Sequence, residues 1–116
     1  MKIEKFENII VWQKSIELAK IVYIKFRECK DFGFRDQTQR AVVSISNNIA
    51  EGFEKGTNKD FKKFLFIAKG SCGEVRSMMY LAIELGYLDK ETFDEIYKRT
   101  IEISKMLSGF IKKLTF

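Results

Sequence analysis

The chain contains no proline and only seven glycines, so a helix can be interrupted at few positions. Between the glycines, apolar side chains recur three or four residues apart, which is the spacing of one face of an α-helix. The last segment shows this repeat most clearly, because its inward-facing positions alternate between spacings of four and three residues. The pattern predicts an all-α protein. The positions of the last segment are Phe93, Tyr97, Thr100, Ser104, Leu107, Ile111 and Leu114.

Four amphipathic segments are expected within one domain over residues 1–116, and the connections between them are about 3 to 5 residues long. Connections this short place each helix antiparallel to the next one along the chain. The sequence therefore predicts an antiparallel up-down-up-down four-helix bundle. The predicted helices span about residues 9–29, 34–54, 58–86 and 90–114.

Capping residues predict where the helices begin and end. Asn8 and Asp89 precede the first and fourth segments and are typical N-caps. Thr57, followed three residues later by Asp60, resembles a capping box at the start of the third segment. Gly86 is expected to end that segment, because glycine tolerates the left-handed conformation of a C-terminal cap.

The remaining glycines predict a break and a close contact. Gly52 and Gly56 bracket the expected break between the second and third helices. Gly70 and Gly73 fall inside the third helix, where they remove side-chain bulk and cost helix stability. A neighbouring helix is expected to approach closely there. A phosphate-binding loop is disfavoured because these glycines follow no strand and lack the Gly-Lys-Thr ending of such a loop.

Two of the segments carry more apolar side chains than one bundle can bury. The predicted core face of the first helix consists of Trp12, Ile16, Ala19, Tyr23 and Phe26, and further apolar residues lie off this line. The third helix has a second apolar line of the same kind. A monomer would expose a large apolar patch, so a cyclic homo-oligomer is expected. Its subunit contacts are predicted near Ile10, Val11, Phe66, Ile67, Tyr80 and Ile83.

The composition disfavours catalysis and metal binding. The chain has no histidine, which removes the commonest general base and nearly every zinc site, so we predict no enzyme activity, cofactor or metal. Cys29 and Cys72 stand far apart, and no secretory signal precedes them, which predicts reduced thiols in a cytoplasmic protein. No apolar run approaches the roughly 18 residues that a membrane span requires.

Polar residues gather in the middle of the second predicted helix, where Asn47 and Asn48 are poor helix formers. In an antiparallel pair formed by the second and third helices, Arg40 lies near Glu74, which predicts a partly buried ion pair. With Glu51, these side chains form either a ligand or catalytic site or a hydrogen-bond network that fixes the helix register. The cluster has no nucleophile beside a base, which favours the structural network.

Three stretches resemble the motif blocks of a known family. They are FENIIVWQKS at residues 6–15, QRAVVSISNNIAEGF at residues 39–53 and FLFIAKGSCGE at residues 64–74. These blocks are similar to those of the bacterial four-helix-bundle proteins, also called 23S rRNA intervening-sequence proteins and often labelled ribosomal. The resemblance implies a homopentamer of four-helix bundles. It also implies kinship with the accessory variability protein of diversity-generating retroelements, which binds nucleic acid and a reverse transcriptase.

The net charge of +5 and the resemblance together favour association with RNA or DNA through surface lysines. The alternative is a protein-interaction scaffold for a neighbouring gene product, such as a reverse transcriptase, in which the charge only maintains solubility. An enzyme using Arg40, Glu51 and Glu74 is a third, weaker hypothesis. The candidate residues for nucleic-acid binding are Lys55, Lys59, Lys62, Lys63, Lys98, Arg99, Lys112 and Lys113.

Overall fold

The computed structural model describes residues 2–114, which form four helices and no strand. A single 3₁₀ turn at Phe6–Asn8 precedes them. The described chain is compact, with principal dimensions of 45 × 21 × 19 Å. The predicted all-α fold with four helices is confirmed, and residues 1, 115 and 116 of the predicted domain lie outside the described range. The helices are α1 (Ile10–Lys25), α2 (Phe32–Glu54), α3 (Asn58–Glu84) and α4 (Lys90–Lys113).

Each helix packs against two others. α1 contacts α2 and α4, and α3 contacts the same two helices, so α1 and α3 lie diagonally opposite each other across the core. Along α3 and α4, Tyr80 contacts Phe93, the thiol of Cys72 donates to the carbonyl oxygen of Thr100 at 3.2 Å, and Phe61 contacts Phe110. None of the helices within residues 2–114 combines the length and the apolar character needed to cross a bilayer.

Helical spacing of apolar residues predicts one core face on α2, from Phe34 to Phe53, and one on α3, from Phe61 to Leu85, and the core lies along both, although Leu85 itself is 48% exposed. Ile45 and Ile49 of α2 are fully buried, as are Leu65, Cys72 and Met79 of α3. The predicted face of α4 is only partly correct. Thr100, Leu107 and Ile111 are buried, but the other buried positions are Ile96 and Ile103, while Phe93, Tyr97 and Ser104 lie at the edge of the core.

The predicted core face of the first helix is only partly correct, because Phe26 is fully buried and Trp12 and Ala19 are half-buried against the core, but the other two positions are exposed. Ile16 and Tyr23 are 43% and 42% exposed, whereas the stripe that contains Val11, Ser15 and Leu18 is buried. Val11 is therefore a core residue and not a surface residue at a subunit contact. Burial of the Ser15 hydroxyl costs little free energy, because this hydroxyl donates to the carbonyl oxygen of Val11 at 2.7 Å. A polar residue satisfied within its own helix does not mark the solvent face.

The predicted caps of α3 and α4 are confirmed, but α1 ends at Lys25, about four residues before its predicted end, and two predicted helix starts are also wrong. Thr57 accepts from the backbone N–H of Asp60 at 3.1 Å, and Asp89 caps α4 in the same way. Asn8 does not cap α1, which begins after Ile9 without a side-chain cap. α2 begins two residues earlier than predicted, at Phe32, because the Asp31 carboxylate caps it.

Gly86 ends α3 with a left-handed backbone, φ +76°, as predicted. The N–H of Tyr87 donates to the carbonyl oxygen of Ala82 at 2.8 Å, and the N–H of Gly86 donates to that of Ile83 at 3.1 Å. These two bonds form the Schellman arrangement that satisfies carbonyl groups at a helix end. α3 therefore ends where local geometry favours glycine.

The close helix contact falls at Gly52 and not at the glycines of α3. A Cβ atom added at Gly52 would lie 2.5 Å from the Cβ of Phe64, whereas one added at Gly70 or Gly73 would meet nothing within 4 Å. Gly52 thus lies inside α2 at its nearest approach to α3. The predicted close approach of a neighbouring helix at Gly70 and Gly73 is wrong within the chain, and both positions face open space.

Candidate nucleic-acid interface

Six of the candidate lysines come together at one end of the bundle. α3 begins directly after the turn that follows α2, and the ring centroids of Phe61 and Phe110 lie 5.2 Å apart. This contact brings the first turns of α3 beside the last turn of α4. We call this group the basic end, and it consists of Lys55, Lys59, Lys62, Lys63, Lys112 and Lys113.

Most of the basic end has no acidic partner. Within residues 2–114, no carboxylate lies within 4.0 Å of the ammonium groups of Lys55, Lys59, Lys63, Lys112 or Lys113. All five of these side chains are exposed. Their charges are therefore available to an external anion, and the two on the last turn of α4 are also favoured by the helix dipole.

Lys98 and Arg99 do not belong to this cluster. Arg99 already contacts carboxylate oxygens of Glu17 at 3.8 Å and Glu95 at 3.7 Å, which fixes its position between α1 and α4. Lys98 is exposed, but it precedes Lys112 by 14 residues of one helix, a separation of about 21 Å. The structure thus divides the eight candidate residues into a cluster of six and a separate pair.

An apolar groove with a volume of about 950 Å³ opens at the same end. Its buried floor includes Ile9, Val11 and Phe61, and half-buried rings of Phe53 and Phe110 line it higher up. Lys113 also lines this groove. Sequence reasoning missed this site because its residues come from three separated stretches, and no local pattern marks such a convergence.

The predicted ion pair between Arg40 and Glu74 is not formed. Both side chains are exposed, and Glu74 instead accepts a hydrogen bond from the amide of Gln37 at 3.4 Å. Water solvates the exposed guanidinium of Arg40 without an ion pair, whereas a buried guanidinium would need a close carboxylate and complete hydrogen bonding. Asn47 and Glu51 are exposed as well, so they do not join a buried network.

The network that links α2 to α3 consists of smaller side chains. The hydroxyl groups of Ser44 and Ser71 are 2.8 Å apart. The amide nitrogen of Asn48 donates to the carbonyl oxygen of Ser44 at 2.8 Å and to its hydroxyl at 2.9 Å. Asn48 is thus the only residue of the predicted network that takes part in this chain of bonds. These bonds fix the register of α2 against α3 at the level of Ser44 and Ser71.

Two shallow depressions flank α2 on either side of this network, with volumes of about 560 and 550 Å³. Asp36, Arg40 and Ser44 line both of them. Among residues 2–114, no three Cys, Asp or Glu side chains come together in a way that would hold a metal ion. The thiol of Cys72 is also poorly suited to nucleophilic chemistry, because burial raises its pKa to about 11.

The predicted subunit contacts are exposed apart from Val11 and Ile83. Ile10, Phe66, Ile67 and Tyr80 are between 43% and 54% exposed, and Ile83 is half-buried. Sequence reasoning missed Ile16 and Tyr23, which are exposed although it assigned them to the core. The exposed apolar side chains of α1 are Ile10, Ile16, Tyr23 and Ile24, and those of α3 are Phe66, Ile67, Tyr80 and Leu81.

Comparison with known proteins decides the family of this chain. Residues 7–109 match the family described as 23S rRNA-intervening sequence protein. The chain belongs to this family. Within the 23S rRNA-intervening sequence proteins, a crystal structure from Bacteroides thetaiotaomicron, described as a protein of unknown function from the S23 ribosomal protein family, is 31% identical. The match covers 90% of this chain and 96% of that one, with a TM-score of 0.83. No curated protein matches the chain.

Proposed function

We propose that this 23S rRNA-intervening sequence protein acts by binding nucleic acid through its basic end, without catalysing a reaction. The observation that carries the proposal is the gathering of six lysines at one end of the bundle, five of them exposed and without a carboxylate partner within residues 2–114. Lysines that contact phosphates release condensed counterions, which provides affinity independent of sequence. An ion-paired residue such as Arg99 gains less from the same contact.

A salt titration tests this proposal. Fluorescence anisotropy with mixed-sequence RNA and DNA is expected to show binding at about 50 mM salt that weakens by orders of magnitude near 200 mM. The variant Lys59→Gln/Lys63→Gln is expected to bind more weakly and with a shallower salt dependence. The matched control Lys25→Gln/Lys30→Gln removes the same charge far from the basic end and should bind as the wild type does. Absence of any binding at the lower salt concentration contradicts the proposal.

We also propose that the helices run up-down-up-down and that chains associate into a closed ring, with five subunits implied by the family resemblance. The direction of the helices is supported by contacts that pair early residues of α3 with late residues of α4, such as Phe61 with Phe110. Ring formation is supported by the exposed apolar faces of α1 and α3. Because these helices lie diagonally opposite, each chain can bind two neighbours through two different surfaces.

Native mass spectrometry at micromolar concentration tests the association. The expected species is a multiple of the 13.6 kDa chain, and Phe66→Glu is expected to dissociate it. The control Lys98→Glu places a glutamate at an exposed position of α4, changes the net charge by more than Phe66→Glu does, and should remain assembled. A monomeric wild type would refute the ring, and an assembled Phe66→Glu variant would refute the choice of surface.

A protein-interaction scaffold is the second candidate function. It is favoured by the same exposed apolar side chains of α1 and α3, which a different protein, such as a reverse transcriptase encoded nearby, would also cover. A pull-down with and without nuclease separates the two functions. Recovery of a protein partner that survives nuclease and is lost in Phe66→Glu supports the scaffold. Recovery of nucleic acid that is lost in Lys59→Gln/Lys63→Gln supports the binding function.

A further inference from the structure

The basic end and the apolar groove form a combined surface at the same end of the bundle. We propose that the groove receives unstacked bases of a single-stranded nucleic acid while the basic end contacts its phosphates. This inference rests on the proposed nucleic-acid binding and adds the class of ligand, which is single-stranded and not duplex. A positively charged surface beside aromatic side chains is the combination by which proteins bind single strands without sequence preference.

The groove has the size and chemistry for flat, weakly polar groups. Its volume of about 950 Å³ falls within the range of about 300 to 1,000 Å³ that small-molecule sites occupy. The rings of Phe53 and Phe110 are only half-buried, so part of each ring is free to contact a base. The buried floor excludes water, which favours stacking over solvation of the base.

The charge around the groove selects an anionic occupant. Nine lysines and five acidic residues lie within two positions along the chain of a residue that lines the groove. The three stretches that contribute to the groove thus carry +4 of the net charge of +5, and Lys113 lines the groove itself. A purely apolar partner would gain nothing from these lysines, whereas a nucleic acid brings one phosphate with every base.

Duplexes do not satisfy both parts of this surface. Their bases are stacked inside the helix, and extrusion of one base costs a few kcal/mol. A duplex can contact the basic end through phosphates only, whereas a single strand also places bases in the groove. Single strands are therefore expected to bind more tightly than duplexes of the same length and sequence.

Gly109 provides a variant that fills the groove without disturbing the fold. It lines the groove within α4, and an added Cβ atom would meet nothing within 4 Å. Leucine is a better helix former than glycine, so Gly109→Leu should fold at least as well as the wild type while reducing the space for a base. Gly109→Ala is the matched control, because it makes the same backbone change and leaves most of the groove open.

The test measures anisotropy of labelled 12-nucleotide single strands and matched duplexes at about 50 mM salt. Single strands are expected to bind at least about tenfold more tightly than duplexes. Gly109→Leu is expected to weaken single-strand binding at least about fivefold, and Gly109→Ala less than about twofold, since stacking contributes about 1 kcal/mol or more per base. Thermal melting verifies that each variant is folded.

A second pair of variants replaces an aromatic ring with an apolar aliphatic side chain, once in the groove and once outside it. Phe110→Leu removes a ring that lines the groove, and Phe32→Leu makes the same change at the first residue of α2, at the other end of the bundle, where the ring is 60% exposed. Only Phe110→Leu should weaken single-strand binding. Equal affinity for single strands and duplexes, or unchanged binding by both groove variants, overturns this inference and leaves nucleic-acid binding intact. Failure of both ligands to bind overturns the proposed function as well.

Discussion

Gly52→Ala tests whether close packing between α2 and α3 limits the stability of the fold. The new Cβ atom would lie 2.5 Å from the Cβ of Phe64 and 3.2 Å from a ring carbon of Phe61. Carbon atoms prefer separations of about 3.5 to 4.0 Å, so the two helices must move apart by about 1 Å. The Cβ of Phe64 is attached to the backbone and cannot turn aside as the end of a flexible side chain can.

The expected magnitude follows from two opposing terms. Overpacking costs about 1 to 3 kcal/mol, and rigid contacts such as this one fall at the upper end. Alanine recovers about 1 kcal/mol because it favours the helix more than glycine does. The free energy of unfolding should therefore fall by about 2 kcal/mol, with the loss spread along the contact between α2 and α3.

Urea denaturation followed by circular dichroism, at one fixed protein concentration, measures this difference. Gly70→Ala and Gly109→Ala are matched controls, since both positions are helical and an added Cβ atom meets nothing within 4 Å. Both controls are expected to gain up to about 1 kcal/mol. If Gly52→Ala is as stable as the wild type or more stable, the close approach does not constrain the packing and this reasoning fails.

Three further predictions concern individual side chains. The buried hydroxyl of Thr38 has no hydrogen-bond partner within residues 2–114, so Thr38→Val should raise the free energy of unfolding by about 1 to 2 kcal/mol in urea melts. Thr100→Val loses a bond to the Tyr97 carbonyl oxygen and should lower the free energy of unfolding by about 1 kcal/mol. The Tyr87 hydroxyl and a backbone N–H donate to the Asp31 carboxylate and lower its pKa below 3.8. The stability that these bonds contribute is complete above pH 3.8 and is lost as the pH falls further. Tyr87→Phe should therefore reduce the dependence of the melting temperature on pH between pH 5 and pH 2. Since burial raises the pKa of Cys72 to about 11, only one thiol per native chain should react with Ellman's reagent at pH 8, and two in urea.

The helices could be predicted from the sequence because their signals are local. The capping residues Thr57 and Asp89 and the terminal Gly86 act on backbone groups within a few positions, so short patterns were enough to place the ends of α3 and α4. The core faces of α2 and α3 were also predictable, because their buried residues keep one continuous helical spacing, as Ile45 and Ile49 do in α2. The spacing of apolar residues contains that information directly. The second apolar line of α3, which contains Phe66 and Ile67, is exposed.

The face of α1 was not predictable in the same way. This helix carries two apolar stripes of similar strength, and periodicity alone does not determine which of them is buried. The buried stripe contains Ser15, whose hydroxyl is satisfied by its own helix, while the exposed one contains Ile16 and Tyr23. The choice depends on how the helix docks against α2 and α4, which is a property of the tertiary structure.

The candidate sites also combine features that local sequence patterns predict with features that depend on tertiary packing. The lysine clusters were visible in the sequence, but their gathering into one end depends on the contact between α3 and α4. The predicted Arg40–Glu74 pair failed because an antiparallel hairpin gives the approximate height of a residue and not the direction of its side chain. Ser44 and Ser71 meet instead, and short side chains of this kind carry little sequence signal of a contact.

The proposed ring and the proposed nucleic-acid site would be connected by symmetry, which provides a last prediction. In a cyclic assembly every chain presents the same end toward the same side of the ring, so the basic ends would gather there. A nucleic acid that spans several of them gains avidity, since later contacts are intramolecular. Phe66→Glu is therefore expected to weaken binding of a 40-nucleotide single strand at least about tenfold, with little effect on a 6-nucleotide strand that reaches one subunit only. Anisotropy with the two lengths measures this. An equal loss for both lengths would show that Phe66 contacts nucleic acid directly, and no loss for either would show that the chains bind independently.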